Sequence, residues 1–211
     1  MKTISNRARK ITAILVSVVA VLLLAALCVS AEDAAAEPAK DTFASEFFKG
    51  LFSGTSLALI GAAVAVVLPC IGSAKGVGMV GEAASGLLSE DPSLFGKALI
   101  LQALPMTQGV YGMVSAFLIL FKIGLFSNPD YMSNMTFTAG AYYLFAGLPI
   151  AVAGLYSAIR QARVSAAGIS LLAKRPAESG KAVTSAALVE TYAILALLIS
   201  MLLILLSPFA A

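Results

Sequence analysis

Four long stretches of this chain are almost free of charge, and its polar residues gather between them. Residues 50–74, 98–121 and 131–159 contain no Asp, Glu, Lys or Arg, and residues 182–206 contain one, Glu190. At about 1.5 Å of rise per residue, each run is long enough to cross a hydrocarbon core of about 30 Å as a single helix. The pattern predicts an all-α membrane protein with four transmembrane helices in two tandem hairpins, residues 50–126 and 127–211.

The first 49 residues follow a different pattern. "MKTISNRARK" is basic, "ITAILVSVVAVLLLAAL" is apolar, and "CVSAEDAAAEPAKD" is small, polar and acidic. This layout predicts a signal peptide over residues 1–31 with a cut after Ala31, or else an extra membrane helix that is retained. Residues 32–49 read as a short polar stretch on the extracytoplasmic side.

The two hairpins are copies of one another. A shift of 84 residues lays "LLSEDPSLFGKALILQALPMT" (87–107) on "LLAKRPAESGKAVTSAALVET" (171–191) without a gap. Leu104 falls on Leu188, Thr107 on Thr191 and Met106 on Glu190. Each copy holds two spans, so the repeat is parallel and equivalent positions lie at equal depth. One carboxylate is therefore present per two hairpins.

Spans one and three are rich in Gly, Ala and Ser, as in "GAAVAVVLPCIGSAKGVGMVG" and "AGLPIAVAGLYSAI". Small residues let membrane helices approach closely. These two spans are expected in a crowded interior, with the bulkier spans two and four facing outward. A closed ring of hairpins fits that arrangement, and a compact four-helix monomer also remains open.

Composition narrows the function. Hydrophobic residues make up 60% of the chain and charged ones 12%. There is no His and no Trp, and the two cysteines, Cys28 and Cys70, lie in apolar segments. Imidazole catalysis, a His-ligated metal, a disulfide framework and a zinc site are all unsupported. The net charge of +3 includes four basic residues in positions 1–10 and forms no nucleic-acid patch. Residues 75–97 and 160–181, read as loops, carry seven Lys and Arg residues, whereas the connection between spans two and three carries Lys122. The positive-inside rule places the basic loops in the cytoplasm and both mature termini outside, in a multi-pass protein of the cell membrane.

The candidate chemistry lies inside the spans. Leu104, Thr107, Gln108 and Tyr111 follow i, i+3, i+4, i+7 spacing and share one helix face. Pro105 within that stretch removes an amide donor and frees the carbonyl of Leu101. Gln161 lies at the end of span three, and Glu190 lies in span four. A carboxylate at this depth costs about 2.5–3.5 kcal/mol on insertion scales, which makes a functional role its default reading. Together these groups offer several neutral oxygens and one charged one, a set suited to a small hard cation such as Na⁺. Taken singly, Thr107 could bond a backbone carbonyl, Gln108 could bridge helices, Gln161 could lie in an interfacial loop and Tyr111 could fill space. Glu190 alone could instead carry H⁺.

The motifs "LPMTQGVYG", "QARVSAAGISLLAKRP" and "LVETYAILALLIS", in this order on a duplicated hairpin, closely resemble the c-type proteolipids of rotary ATPases. The likeness covers about residues 50–211 and is strongest to the subunit K form of bacterial V-type ATPases, in its sodium-translocating branch. It implies that Leu104, Thr107, Gln108, Gln161 and Glu190 hold the ion and that Tyr111 bonds the carboxylate. It also implies a homo-oligomeric rotor ring in the bilayer, joined to central-stalk subunits and working against a stator membrane subunit with an essential Arg. The chain has no phosphate-binding loop and is expected to be a non-catalytic, ion-translocating subunit. A free-standing four-helix transporter or channel is the rival of another class.

Overall fold

The computed structural model describes residues 43–209. The expected leader, residues 1–31, and residues 32–42 lie outside the described residues. Among those described there are helices and turns and no strands.

The first element, α1 (Phe43–Leu51), begins inside the stretch that reads from sequence as polar and ends two residues beyond it. Phe47 and Phe48, with Leu51 just beyond the stretch, supply apolar residues at helical spacing, which the polar residues of 32–49 conceal.

The remaining residues form a separate unit beginning at Ser53. Its helices are α2 (Gly54–Glu90), α3 (Phe95–Ala103), α4 (Thr107–Lys122), α5 (Pro129–Ser133), α6 (Phe137–Lys174) and α7 (Ser179–Leu205). The stretches Gly54–Glu90, Pro92–Lys122, Phe137–Lys174 and Pro176–Leu205 are each long and apolar enough to cross a membrane. The chain is thus an all-α, multi-pass membrane protein built from two tandem hairpins.

Sequence hydropathy and helix length part company at one end of the bundle. Charge alone makes residues 75–90 and 160–174 loops, yet both are helical, so α2 runs 37 residues and α6 runs 38. Charge marks where the hydrocarbon ends, and a helix satisfies its own backbone equally well beyond that point. The helices stop instead at Asp91 and Arg175, each of which precedes a proline. A residue before proline is pushed out of the helical region. Both have left it, with φ −137° and ψ 90° at Asp91 and φ −144° and ψ 77° at Arg175. Lys97 Nζ then donates to the Pro176 carbonyl at 3.0 Å, tying the turn of one copy to that of the other.

At the opposite end, Ser53 caps α2 by accepting from the Ser56 amide at 3.2 Å. Thr136 caps α6 in the same way, accepting from the Ala139 amide at 3.3 Å. Gly54 and Gly140 bring these helix starts into backbone contact, because a Cβ on Gly140 would run into the Gly54 carbonyl oxygen. The seam continues at Gly61, which faces the backbone of Tyr143 and Leu144, and at Gly72, which faces Leu155. Between them the ring of Pro69 fits into hollows at Gly112 and Gly154. Lipid tails are as apolar as Leu, so close van der Waals approach rather than burial from water holds such helices together. The small-residue spans one and three are accordingly the packed pair. Span four is 17% buried and faces outward as expected. Span two is 39% buried, close to the 44% of spans one and three, because one face of α4 packs on α2 and α6. Side-chain packing at the two ends is completed by Ile119, Ile150 and Ile204 and by Leu101, Ile169 and Leu172.

Candidate functional site

The local structure of span two follows from Pro105. The span divides into α3, a 3-10 turn at Leu104–Met106, and α4. Proline cannot continue the amide ladder, so backbone groups near it need other partners. The Ser73 hydroxyl oxygen on α2 accepts from the Gly109 amide at 2.9 Å and thereby pins the start of α4 to α2. Gly76 leaves room for the proline ring, since a Cβ there would lie 2.8 Å from Pro105 Cβ.

The turn aims one face of α4 at the second copy. Gln108 and Gln161 are both fully buried, and Gln108 Nε2 donates to Gln161 Oε1 at 2.6 Å. Gln161 Nε2 lies 3.2 Å from the Ala186 carbonyl oxygen and 3.4 Å from Glu190 Oε2. The other carboxylate oxygen, Oε1, accepts from the Tyr111 hydroxyl at 2.5 Å. Glu190 is thus held from α4 on one side and from α6 on the other. Nearby, the Ser157 hydroxyl donates to the Val189 carbonyl at 3.0 Å, fixing α7 against α6 at the residue before Glu190.

Four of the six candidate residues, Gln108, Tyr111, Gln161 and Glu190, form one continuous network. Gln161 belongs to the interior of α6 and not to an interfacial loop. Leu104 and Thr107 are bonded to each other, Thr107 Oγ1 donating to the Leu104 carbonyl at 3.1 Å. The equivalent pair in the second copy is bonded identically, Thr191 Oγ1 to the Leu188 carbonyl at 2.9 Å. That contact therefore belongs to the repeat, and it leaves the Thr107 oxygen with lone pairs still to offer. The Ala186 carbonyl and the serines Ser73 and Ser157 are additions to the residues that the sequence singles out. A backbone carbonyl has no sequence signal, whereas the serines do have one, because the 84-residue shift lays Ser73 on Ser157.

The arrangement can stabilise a carboxylate and still bind something further. Tyr111 and Gln161 each give Glu190 one donor, although a carboxylate accepts up to about four hydrogen bonds. Gln108 Oε1 is buried without a hydrogen-bond partner. Buried polar atoms are normally satisfied, and an orphaned carbonyl oxygen in a network with a carboxylate suits a cation. Among the described residues no cluster of three or more His, Cys, Asp or Glu side chains could hold a metal. Any cation here would be held mainly by neutral oxygens.

Comparison with known proteins gives the same repeat in the same register. The family model described as the ATP synthase C subunit matches twice, at residues 60–119 and 144–203, an offset of 84 residues. The V-type sodium ATPase subunit K of Enterococcus hirae is 51% identical over 152 residues, covering 72% of this chain and 92% of that protein. The A-type ATP synthase subunit K of Methanocaldococcus jannaschii is 40% identical over 149 residues, covering 70% of this chain and 61% of that protein.

Proposed function

This chain belongs to the ATP synthase C-subunit family, and on that premise we propose that it is the rotor subunit of a rotary ATPase, carrying Na⁺ on Glu190. Copies of the chain form a ring in the membrane, joined to a central stalk driven by a soluble ATP-hydrolysing motor. The basic ends of the hairpins face the cytoplasm and the termini face outward.

The observation that carries the sodium reading is the orphaned Gln108 Oε1 in the network that holds Glu190. The ion's donors are the carbonyl of Leu104, the hydroxyl of Thr107, the amide oxygens of Gln108 and Gln161, and the Glu190 carboxylate. Tyr111 orients the carboxylate. The name of the Enterococcus hirae relative, a sodium ATPase subunit, points the same way.

One carboxylate and one Na⁺ make a neutral unit that can face lipid as the ring turns. At the stator, an Arg of the partner subunit displaces the cation, which leaves towards one side of the membrane. The emptied carboxylate is expensive in lipid, so it stays at the stator until it is reloaded from the other side. Each charge moved against 100 mV requires about 2.3 kcal/mol, which the soluble motor supplies during pumping.

H⁺ is the rival cargo, because a proton in place of Na⁺ would also neutralise Glu190 in the bilayer. Carbodiimide labelling of Glu190 separates the two ions. On the sodium reading, millimolar Na⁺ protects Glu190 from the reagent and K⁺ does not. Equal labelling in Na⁺ and K⁺ would leave H⁺ as the cargo.

A further inference from the structure

Ser73 and Ser157 occupy one position of the repeat, 84 residues apart, and both are buried, at 6% exposure each. Each bonds the main chain of a neighbouring helix beside a residue of the ion site. The Ser73 hydroxyl oxygen accepts from the Gly109 amide at 2.9 Å, one residue after Gln108. The Ser157 hydroxyl donates to the Val189 carbonyl at 3.0 Å, one residue before Glu190.

The two bonds run in opposite senses because the copies differ beside the site. Pro105 falls on Val189 under the 84-residue shift. The break at Pro105 starts a new helix at Thr107, and the amides of a first turn have no partner within their own helix. Ser73 serves one of them. Helix α7 runs unbroken from Ser179 to Leu205, so the amides around Glu190 are bonded within it, and a carbonyl lone pair is what remains for Ser157. A hydroxyl donates and accepts, so one residue type meets either need.

A bond to the main chain fixes the rotation of a helix about its axis, and with it the direction of the side chains on that turn. This matters most for α7, which belongs to the least buried of the four spans. Its other bonds to α6 are less suited to aim Glu190. Gln161 reaches the Ala186 carbonyl, but its amide also belongs to the ion site. Ser200, which accepts from the Ile150 amide at 3.2 Å, lies ten residues beyond Glu190. We propose that Ser73 and Ser157 are positioning residues for ion binding, Ser73 aiming Gln108 and Ser157 aiming Glu190. Neither is an ion ligand; each holds the main chain from which a ligand projects. The role rests on the reading of Glu190 as the ion-carrying group, and it adds the residues that keep the ligands in register.

Ser115 on α4 and Ser165 on α6 supply controls in the same bundle. Both are fully buried, and their hydroxyls have no hydrogen-bond partner among the described residues. Each of the four serines is replaced by Ala in the full chain, and carbodiimide labelling of Glu190 is followed on the purified detergent particle below its melting temperature. Ser73→Ala and Ser157→Ala should each raise the half-protecting Na⁺ concentration by roughly three- to tenfold, the equivalent of one neutral hydrogen bond. Ser115→Ala and Ser165→Ala should leave it unchanged. A serine that only holds helices together would lower the melting temperature and leave the half-protecting concentration where it is. Ser73 and Ser157 variants that match the controls in Na⁺ protection therefore overturn the proposal and leave the sodium reading standing. Absence of Na⁺ protection in the unaltered particle removes the sodium reading instead, and the labelling rate in K⁺ then decides the positioning role. A rate changed in Ser73→Ala and Ser157→Ala but not in the controls upholds it; one rate across all five particles overturns it.

Discussion

The hydroxyl of Tyr111 lies 2.5 Å from Oε1 of Glu190, joining α4 of the first copy to α7 of the second. The bond stabilises the ionised carboxylate, which is the form that holds a cation. Hydrogen bonds to charged groups contribute about 1.5–3 kcal/mol, roughly ten- to a hundredfold in an equilibrium constant. In Tyr111→Phe the Na⁺ concentration that half-protects Glu190 from carbodiimide should rise by about tenfold or more. An unchanged half-protecting concentration would mean that the phenol does not hold the carboxylate.

Gln108 and Gln161 share one hydrogen bond, but their replacements should have unequal consequences. Gln161→Leu strands Gln108 Nε2 and removes a donor from Glu190, with an expected destabilisation of about 1–3 kcal/mol. Gln108→Leu strands Gln161 Oε1 but also removes an oxygen that already lacks a partner and leaves both donors to Glu190 in place, so it should destabilise less. Both variants should lose Na⁺ protection of Glu190. Thermal denaturation of the detergent particle compares their stabilities; unchanged Na⁺ protection in Gln108→Leu would discard the reading of Gln108 Oε1 as a cation ligand.

Much of this is legible in the sequence, and the parts that are not share physical causes. Four apolar runs give four spans, because length and hydropathy are what a bilayer selects. The repeat register is readable from residues 87–107 alone, and the family match at 60–119 and 144–203 keeps the same offset. Gln161 is harder, because it lies close to Arg160 and Arg163 and a span drawn by charge ends just before it. Helix α6 ignores that boundary, and the buried amide sits on the face turned towards α4. Spacing does carry its place, since Gly140, Gly147, Gly154, Gln161 and Gly168 recur every seven residues along α6. The Ala186 carbonyl has no signal, because backbone groups become site groups through placement alone.

Gly54 and Gly140 meet without side chains at the start of the two packed helices. A methyl group on Gly140 would collide with a backbone oxygen, so the helices would have to separate. Overpacking of this kind costs about 1–3 kcal/mol. Gly96 provides the control, because a Cβ there meets nothing within 4 Å and Ala is the better helix former. Gly140→Ala should lower the temperature at which the detergent particle dissociates, whereas Gly96→Ala should leave it unchanged or raise it. If both variants melt alike, the Gly54–Gly140 contact does not set the spacing of α2 and α6.

Glu190→Gln tests the core of the functional reading, because it removes the charge while keeping the shape. A glutamine at 190 can still accept from Tyr111 through its amide oxygen, so α4 and α7 remain tied and the protein should reach the membrane at its normal level. It has no charge to neutralise a cation and no group that a stator Arg could pair with. ATP-driven Na⁺ uptake by vesicles carrying the complete complex should therefore fall to background. Glu190→Asp keeps the charge but withdraws it by one methylene from a hydroxyl at 2.5 Å, and should retain partial uptake with weaker Na⁺ protection. A carboxylate that serves only to bind helices together predicts the reverse pattern, with Gln tolerated and Asp disruptive. Uptake at the normal rate in Glu190→Gln would establish that role and remove Glu190 from the transport path.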